Sequence, residues 1–236
     1  MDSDFDFTIP ETLRDIKLSQ WQQYIDILGK NKDAKLNDFL EKKLLGIFCG
    51  LALKDVNRIG LSVFDNTIQH LANVLNSKPE LVKTFKMTGT DGVTVEFGLI
   101  PNFDNMSYGE FVDLEKYLFV DKDFHRAMAV MYRPVKFKSK GSYLIHDYKG
   151  TEYLAEVMKS TPLDVALSAR VFFYRLATKL SNFTMAYTLK ELQQKQEGRK
   201  DKHSVKSGET IKQYLLSLEK MSEELEKLQN YQYTNV

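Results

Sequence analysis

The chain has almost no net charge, a single cysteine, and no apolar run long enough to cross a bilayer. Lysine and arginine together number 33 against 32 acidic residues, a formal charge of +1. A dedicated nucleic-acid binder usually carries a clear basic excess, so that class lacks its commonest signature. The balance gives no reason to expect a membrane-surface protein either. One cysteine, Cys49, cannot build a disulfide framework within the chain. It lies in the apolar run Leu44 to Leu51 with no base nearby in sequence, and is read as a buried structural thiol. The longest apolar run, 44–53, is about half of a membrane span. The N-terminus, Met1-Asp2-Ser3-Asp4-Phe5-Asp6, is acidic where a secretory signal is basic and then apolar. The expectation is a soluble chain that stays where it is made.

Catalytic signatures are equally scarce. His70, His125, His146 and His203 are scattered, without the close ligand spacing of a metal site, so no metal and no cofactor are expected. Gly89-Thr90-Asp91-Gly92 is a turn, not a phosphate loop ending in Gly-Lys-Ser/Thr. No Ser-His-Asp or Cys-His spacing stands out. Glu110, Asp113 and Glu115 could suggest paired carboxylates. They open a helix, however, where the dipole favours acids, and they read as capping plus a solvated face. Asp121 and Asp123 read as an exposed turn. An enzyme is the least supported class.

What is present is helix, with a small mixed region inside it. The pattern predicts α+β, predominantly helical: an N-terminal helical region, a small antiparallel β/helix middle, a long C-terminal helix and a heptad-patterned helix after it. Ser19 caps a helix striped by Trp21, Tyr24, Ile25 and Leu28, with Gln22 reaching back and Gly29 and Asn31 ending it. A second helix runs from about Leu36 to Leu53, and a third from Ser62, supported by Asp65, to Leu75 before Pro79. Thr84 to Thr88 and Val93 to Phe97 alternate in twos around the glycine turn, a hairpin signal. Ser107 and Glu110 form a capping box opening a helix through Phe111, Leu114 and Leu118. A short helix from Phe124 to Met131 stops at Arg133-Pro134. Two short strands, Val135 to Lys138 and Tyr143 to Ile145, flank Gly141.

The last third is one long helical pattern. Thr161 caps it, Pro162 takes its first position and Asp164 sits near the positive dipole end. Phe172, Phe173 and Leu176 widen its stripe and are expected to be buried in the body. At about 1.5 Å per residue it would span about 50 Å. The segment 198–210 is a polar hinge whose Arg199, Lys200, Lys202 and Lys206 are the candidate nucleic-acid contact. Asp201 interrupts that cluster and no aromatics interleave, so a solvated linker explains it too. From Ile211 apolar residues alternate three and four apart, with Leu218, Met221, Leu225 and Leu228 as the partner-binding face. Fewer than three heptads make a weak coiled coil alone, so this helix packs on a larger body, its own or another. The layout is therefore a compact body (1–160), a long helix (161–197), a hinge (198–210), and an amphipathic helix with tail (211–236).

Four blocks carry a resemblance: Phe7-Thr8-Ile9-Pro10-Glu11-Thr12-Leu13 with Leu18 to Tyr24; Ile100-Pro101-Asn102-Phe103-Asp104 with Ser107 to Leu114; Met128 to Val135; and Pro162 to Leu167 leading to Phe172-Phe173. Their order resembles a family of proteins of tailed bacteriophages, notably the crAss-like phages of Bacteroidetes and similar marine phages. The resemblance covers most of residues 7–180 and transfers no catalytic residue. It implies a structural virion protein: a head–tail connector or tail component, or internal cargo. Its expected partners are portal, ring or tail subunits, or copies of itself in a ring, with no membrane. The implied location is the virion, and the host cytoplasm during assembly. The alternatives are a morphogenesis chaperone or scaffold absent from the finished particle, and a packaged DNA-associated protein.

Overall fold

A computed structural model describes residues 7–31, 38–89, 91–102 and 105–175. The chain divides into two compact units between Arg170 and Val171, and of the second only 171–175 are described. Eight α-helices and one four-stranded antiparallel sheet occur among the described residues, which makes the chain α+β. The heptad helix, the basic hinge and most of the long helix lie outside them.

The helices α1 (Leu18–Lys30), α2 (Asp38–Phe48), α3 (Leu53–Val56) and α4 (Leu61–Leu75) form the N-terminal half. Trp21 and Tyr24 of α1 are buried as their spacing predicts, and the Tyr24 ring meets Phe48 of α2 edge-on at 5.4 Å. The expected starts shift slightly. The capping side chain of α1 is Gln20, whose Oε1 accepts from the Lys17 N–H at 2.8 Å; Ser19 is already inside the helix. The second predicted helix is really two, because Gly50 takes φ +69°, which ends α2 before α3 begins. α4 starts at Leu61 with Gly60 as cap, and Asp65 makes no cap bond.

The strands β1 (Thr84–Thr88), β2 (Thr94–Leu99), β3 (Tyr132–Ser139) and β4 (Ser142–Ile145) follow in sheet order. The predicted glycine turn joins β1 to β2, pairing Phe85 with Phe97 and Met87 with Val95. Phe97 then meets Pro134, and Leu99 meets Tyr132, so one face carries Phe85, Phe97, Leu99 and Tyr132 into the core. Rings of Phe85 and Tyr132 lie 5.2 Å apart, edge to face. Between β2 and β3 the chain inserts α5 (Tyr108–Tyr117) and α6 (Phe124–Met131).

The helix α6 is the centre of the body. It packs against α5, β3 and α7 (Glu152–Met158) and is buried at every position except Arg126. A helix apolar nearly all round belongs inside. α7 carries no strong periodic signal in seven residues, and the sequence did not predict it.

The N-terminal segment is stitched to the turn before the last helix. Leu18 N–H donates to Thr161 O and Leu163 N–H to Ile16 O, both at 2.8 Å, while Ile16, Leu18, Thr161 and Leu163 are fully buried. Pro162 lies on this bridge. Its carbonyl accepts from Ala166 N–H, so it is the cap of the helical run 163–175 and not its first residue as expected.

Candidate interaction surface

Helix α5 has two unlike faces, and each follows from the sequence around Ser107. The hydroxyl of Ser107 accepts from Glu110 N–H at 3.3 Å, and a Glu110 carboxylate oxygen accepts from Ser107 N–H at 2.7 Å. The predicted capping box is therefore present, and it fixes the start of the helix. From there Glu110, Leu114 and Leu118 recur every four residues and turn inward.

Glu110 is not solvated, contrary to expectation. It is buried and paired with the equally buried Arg133 at the start of β3. Burial alone would raise its pKa. The Ser107 side chain and backbone, together with Arg133, outweigh that and hold the carboxyl below its ordinary value. The Arg133 guanidinium lies 5.6 Å from the Tyr148 ring centroid, and the Tyr148 hydroxyl donates to Asp113 at 2.5 Å. Burial first, then the Asp113 bond and charge, push the Tyr148 pKa well up, so the phenol stays protonated. Tyr148 thus ties Asp113 of α5 to the segment after β4, and Arg133 ties Glu110 of α5 to β3. This cluster orients α5 against the sheet. Glu115, the third predicted acid, is exposed.

A second buried cluster joins α1, α6 and the last helix. Arg170 is buried, donates to Asp121 at 2.7 Å, and lies 5.0 Å from the Phe124 ring centroid and 5.6 Å from that of Trp21. Gln22 Nε2 donates to the Asp121 carbonyl at 2.7 Å and faces His125 Nδ1 at 3.2 Å. An amide nitrogen has only protons to offer, so Nδ1 accepts and the His125 proton resides on Nε2. Burial, then the charges of Lys159 and Arg126, lower the His125 pKa, against Glu156 and Asp123.

The outer face of α5 is different. Tyr108, Phe111 and Val112 are 83%, 57% and 38% exposed, one helical turn of apolar surface standing in water. Phe111 was expected in the inner stripe. It lies about 100° round the helix from Glu110 but only about 60° from Leu114 and about 20° from Leu118, so helical spacing alone groups it with the inner stripe. The starts of α4 and α3 expose Leu61, Val63 and Leu53 in the same way. Aromatic residues exposed beside a rigidly held helix end have the form of a partner's anchor points.

Of the predicted site residues, Leu218, Met221, Leu225, Leu228, Arg199, Lys200, Lys202, Lys206 and Leu176 lie outside the described residues. Phe173 is buried and Phe172 half-buried, their rings 5.4 Å apart. Cys49, expected to be buried, is half-buried, and burial raises its thiol pKa to about 11. His70 meets the Pro10 carbonyl at 2.9 Å, and His146 is exposed. Among the described residues no group of His, Cys, Asp or Glu is arranged to hold a metal ion, and no helix is long and apolar enough to cross a membrane. Set beside known proteins, the chain matches no family model, no curated protein and no solved structure.

Proposed function

We propose that the chain is a structural component of a tailed-phage virion, at the head–tail connector or in the tail, acting through protein–protein assembly. The observation that carries this reading is the outer face of α5. Tyr108 and Phe111 stand exposed on a helix whose inner side is locked by Glu110 and Arg133. Rigid aromatic side chains lose little conformational freedom on docking, which makes them efficient interface anchors.

The two buried polar clusters support the same reading. Each holds its arginine by an ion pair, Arg133 to Glu110 and Arg170 to Asp121, while Arg133 Nε and one Arg170 terminal nitrogen stay buried without a hydrogen-bond partner among the described residues. The four sequence blocks that resemble tailed-phage proteins supply the setting, with portal, ring or tail subunits as the proposed partners. A stable interface needs about 1,200–2,000 Å² in total, so three residues are its centre and not its whole extent.

Quantitative mass spectrometry on purified particles of the encoding phage tests this. A copy number comparable to the portal is the expected result. Absence from particles with abundance in infected-cell lysate would instead identify an assembly chaperone or scaffold.

A further inference from the structure

The hairpin of β3 and β4 is unlike the rest of the chain. Residues 135–145 hold Lys136, Lys138 and Lys140 and no acid, in a protein whose formal charge is only +1. The hairpin is also apolar where it is exposed. Phe137 and Leu144 are register partners, 61% and 60% exposed, and so form a cross-strand pair open to solvent. A register shift between Val135 and Phe137 marks a bulge at Lys136. Lys140 and Gly141, with φ of 42° and 85°, make the tight turn at the tip. Only Lys138 is committed, to Glu96 at 2.7 Å. Lys136 and Lys140 make no ion pair among the described residues.

We infer that this hairpin is a nucleic-acid contact that takes an unpaired strand. The chemistry favours that partner over an acidic protein or a lipid surface. Lysines without carboxylates of their own attract a polyanion, and phosphates satisfy them without any fixed partner geometry. An exposed aromatic ring between such lysines offers a stacking platform for a base that is not already stacked in a duplex. Phe137 supplies the ring and Leu144 its apolar flank; Lys136 and Lys140 bracket them along the strand. This inference goes beyond the assembly reading and does not rest on it. It also places the contact on the described body and not on the Arg199 to Lys206 hinge.

The test is fluorescence anisotropy of the full chain with a labelled oligothymidylate, a labelled duplex, an acidic peptide and anionic phosphatidylserine vesicles. The single strand is expected to bind best. Its log affinity should fall against log salt with a slope of about −1.4 for two lysines to about −2.1 for three, at roughly 0.7 per phosphate. The double substitution Lys136→Glu/Lys140→Glu should weaken binding at least about tenfold. Phe137→Ala should cost about tenfold on the single strand and little on the duplex. All three side chains are exposed, so far-UV circular dichroism and the melting temperature should not change. Should the glutamates disturb folding, Lys136→Gln/Lys140→Gln reads the same loss. Absence of binding by the unmodified chain would overturn the inference. So would undiminished binding by the lysine variants, which would move the contact to the hinge. Preference for duplex, peptide or vesicles would overturn it equally.

Discussion

The ring of Tyr143 on β4 lies so close over Gly98 on β2 that a Cβ at residue 98 would come within 2.5 Å of Cε2. The two strands are not neighbours; β3 runs between them. The Tyr143 hydroxyl reaches on to donate to the Leu99 carbonyl at 2.8 Å, so the ring cannot swing away without losing that bond. Gly98→Ala should therefore destabilise the fold by about 1–3 kcal/mol, as overpacking does. In a Tyr143→Ala background the same change should cost clearly less. Chemical denaturation of the four proteins of that cycle measures the difference.

The Glu110–Arg133 pair predicts a second asymmetry. Arg133→Met strands a buried carboxylate and should cost about 3–5 kcal/mol. Glu110→Gln/Arg133→Met together should cost less than Arg133→Met alone. The pH dependence follows from the sign of the shift. The folded pKa of Glu110 is depressed, so its contribution is present above the unfolded value of about 4.3 and is lost as pH falls through the folded one. Urea melts at descending pH should show that acid loss, and Glu110→Gln should reduce it.

His125 acts in a higher pH window. Its folded pKa is lowered, so the unfolded chain takes up a proton first as pH drops below about 6.5. Stability should fall from about pH 7 downward until the folded pKa is passed, and then level off. Protonation would also turn Nδ1 into a donor facing the Gln22 amide. His125→Gln should flatten this part of the profile.

The bridge between the N-terminal segment and the last helix predicts a truncation effect. Removing residues 1–17 deletes buried Leu13 and Ile16 and leaves the Leu163 N–H without the Ile16 carbonyl. Two buried side chains of this size put the expected loss at about 3 kcal/mol or more. Removing 208–236 should leave a soluble, folded chain with nearly unchanged melting temperature. Thermal melts of the two truncations separate these outcomes.

Much of this fold was legible because periodicity records burial. Trp21 and Tyr24 on α1, the 84–99 hairpin, the Ser107 capping box and α6 from Phe124 to Met131 all follow local rules. What was not legible is long-range. Nothing near Glu110 announces Arg133, and nothing near Gln22 announces Asp121, which meets it across the fold. α7 was missed because seven residues hold too few turns for a stripe to emerge. The outer α5 face was misassigned at Phe111, where an apolar residue one position from the inner stripe looks like part of it. The exposed pair Phe137 and Leu144 was hidden differently. Two short strands were expected there, but which side faces water depends on a bulge that sequence alternation does not mark.

The most direct measurement is incorporation of an α5-face variant into phage particles. Tyr108→Glu/Phe111→Glu should leave the stability within about 1 kcal/mol of the unmodified chain, since both side chains are exposed. Particles assembled with this variant are expected to lack the protein, while a control at an exposed residue, Lys54→Glu, is incorporated at full copy number. Full incorporation of the Tyr108→Glu/Phe111→Glu chain would contradict the proposal that this face carries the assembly contact.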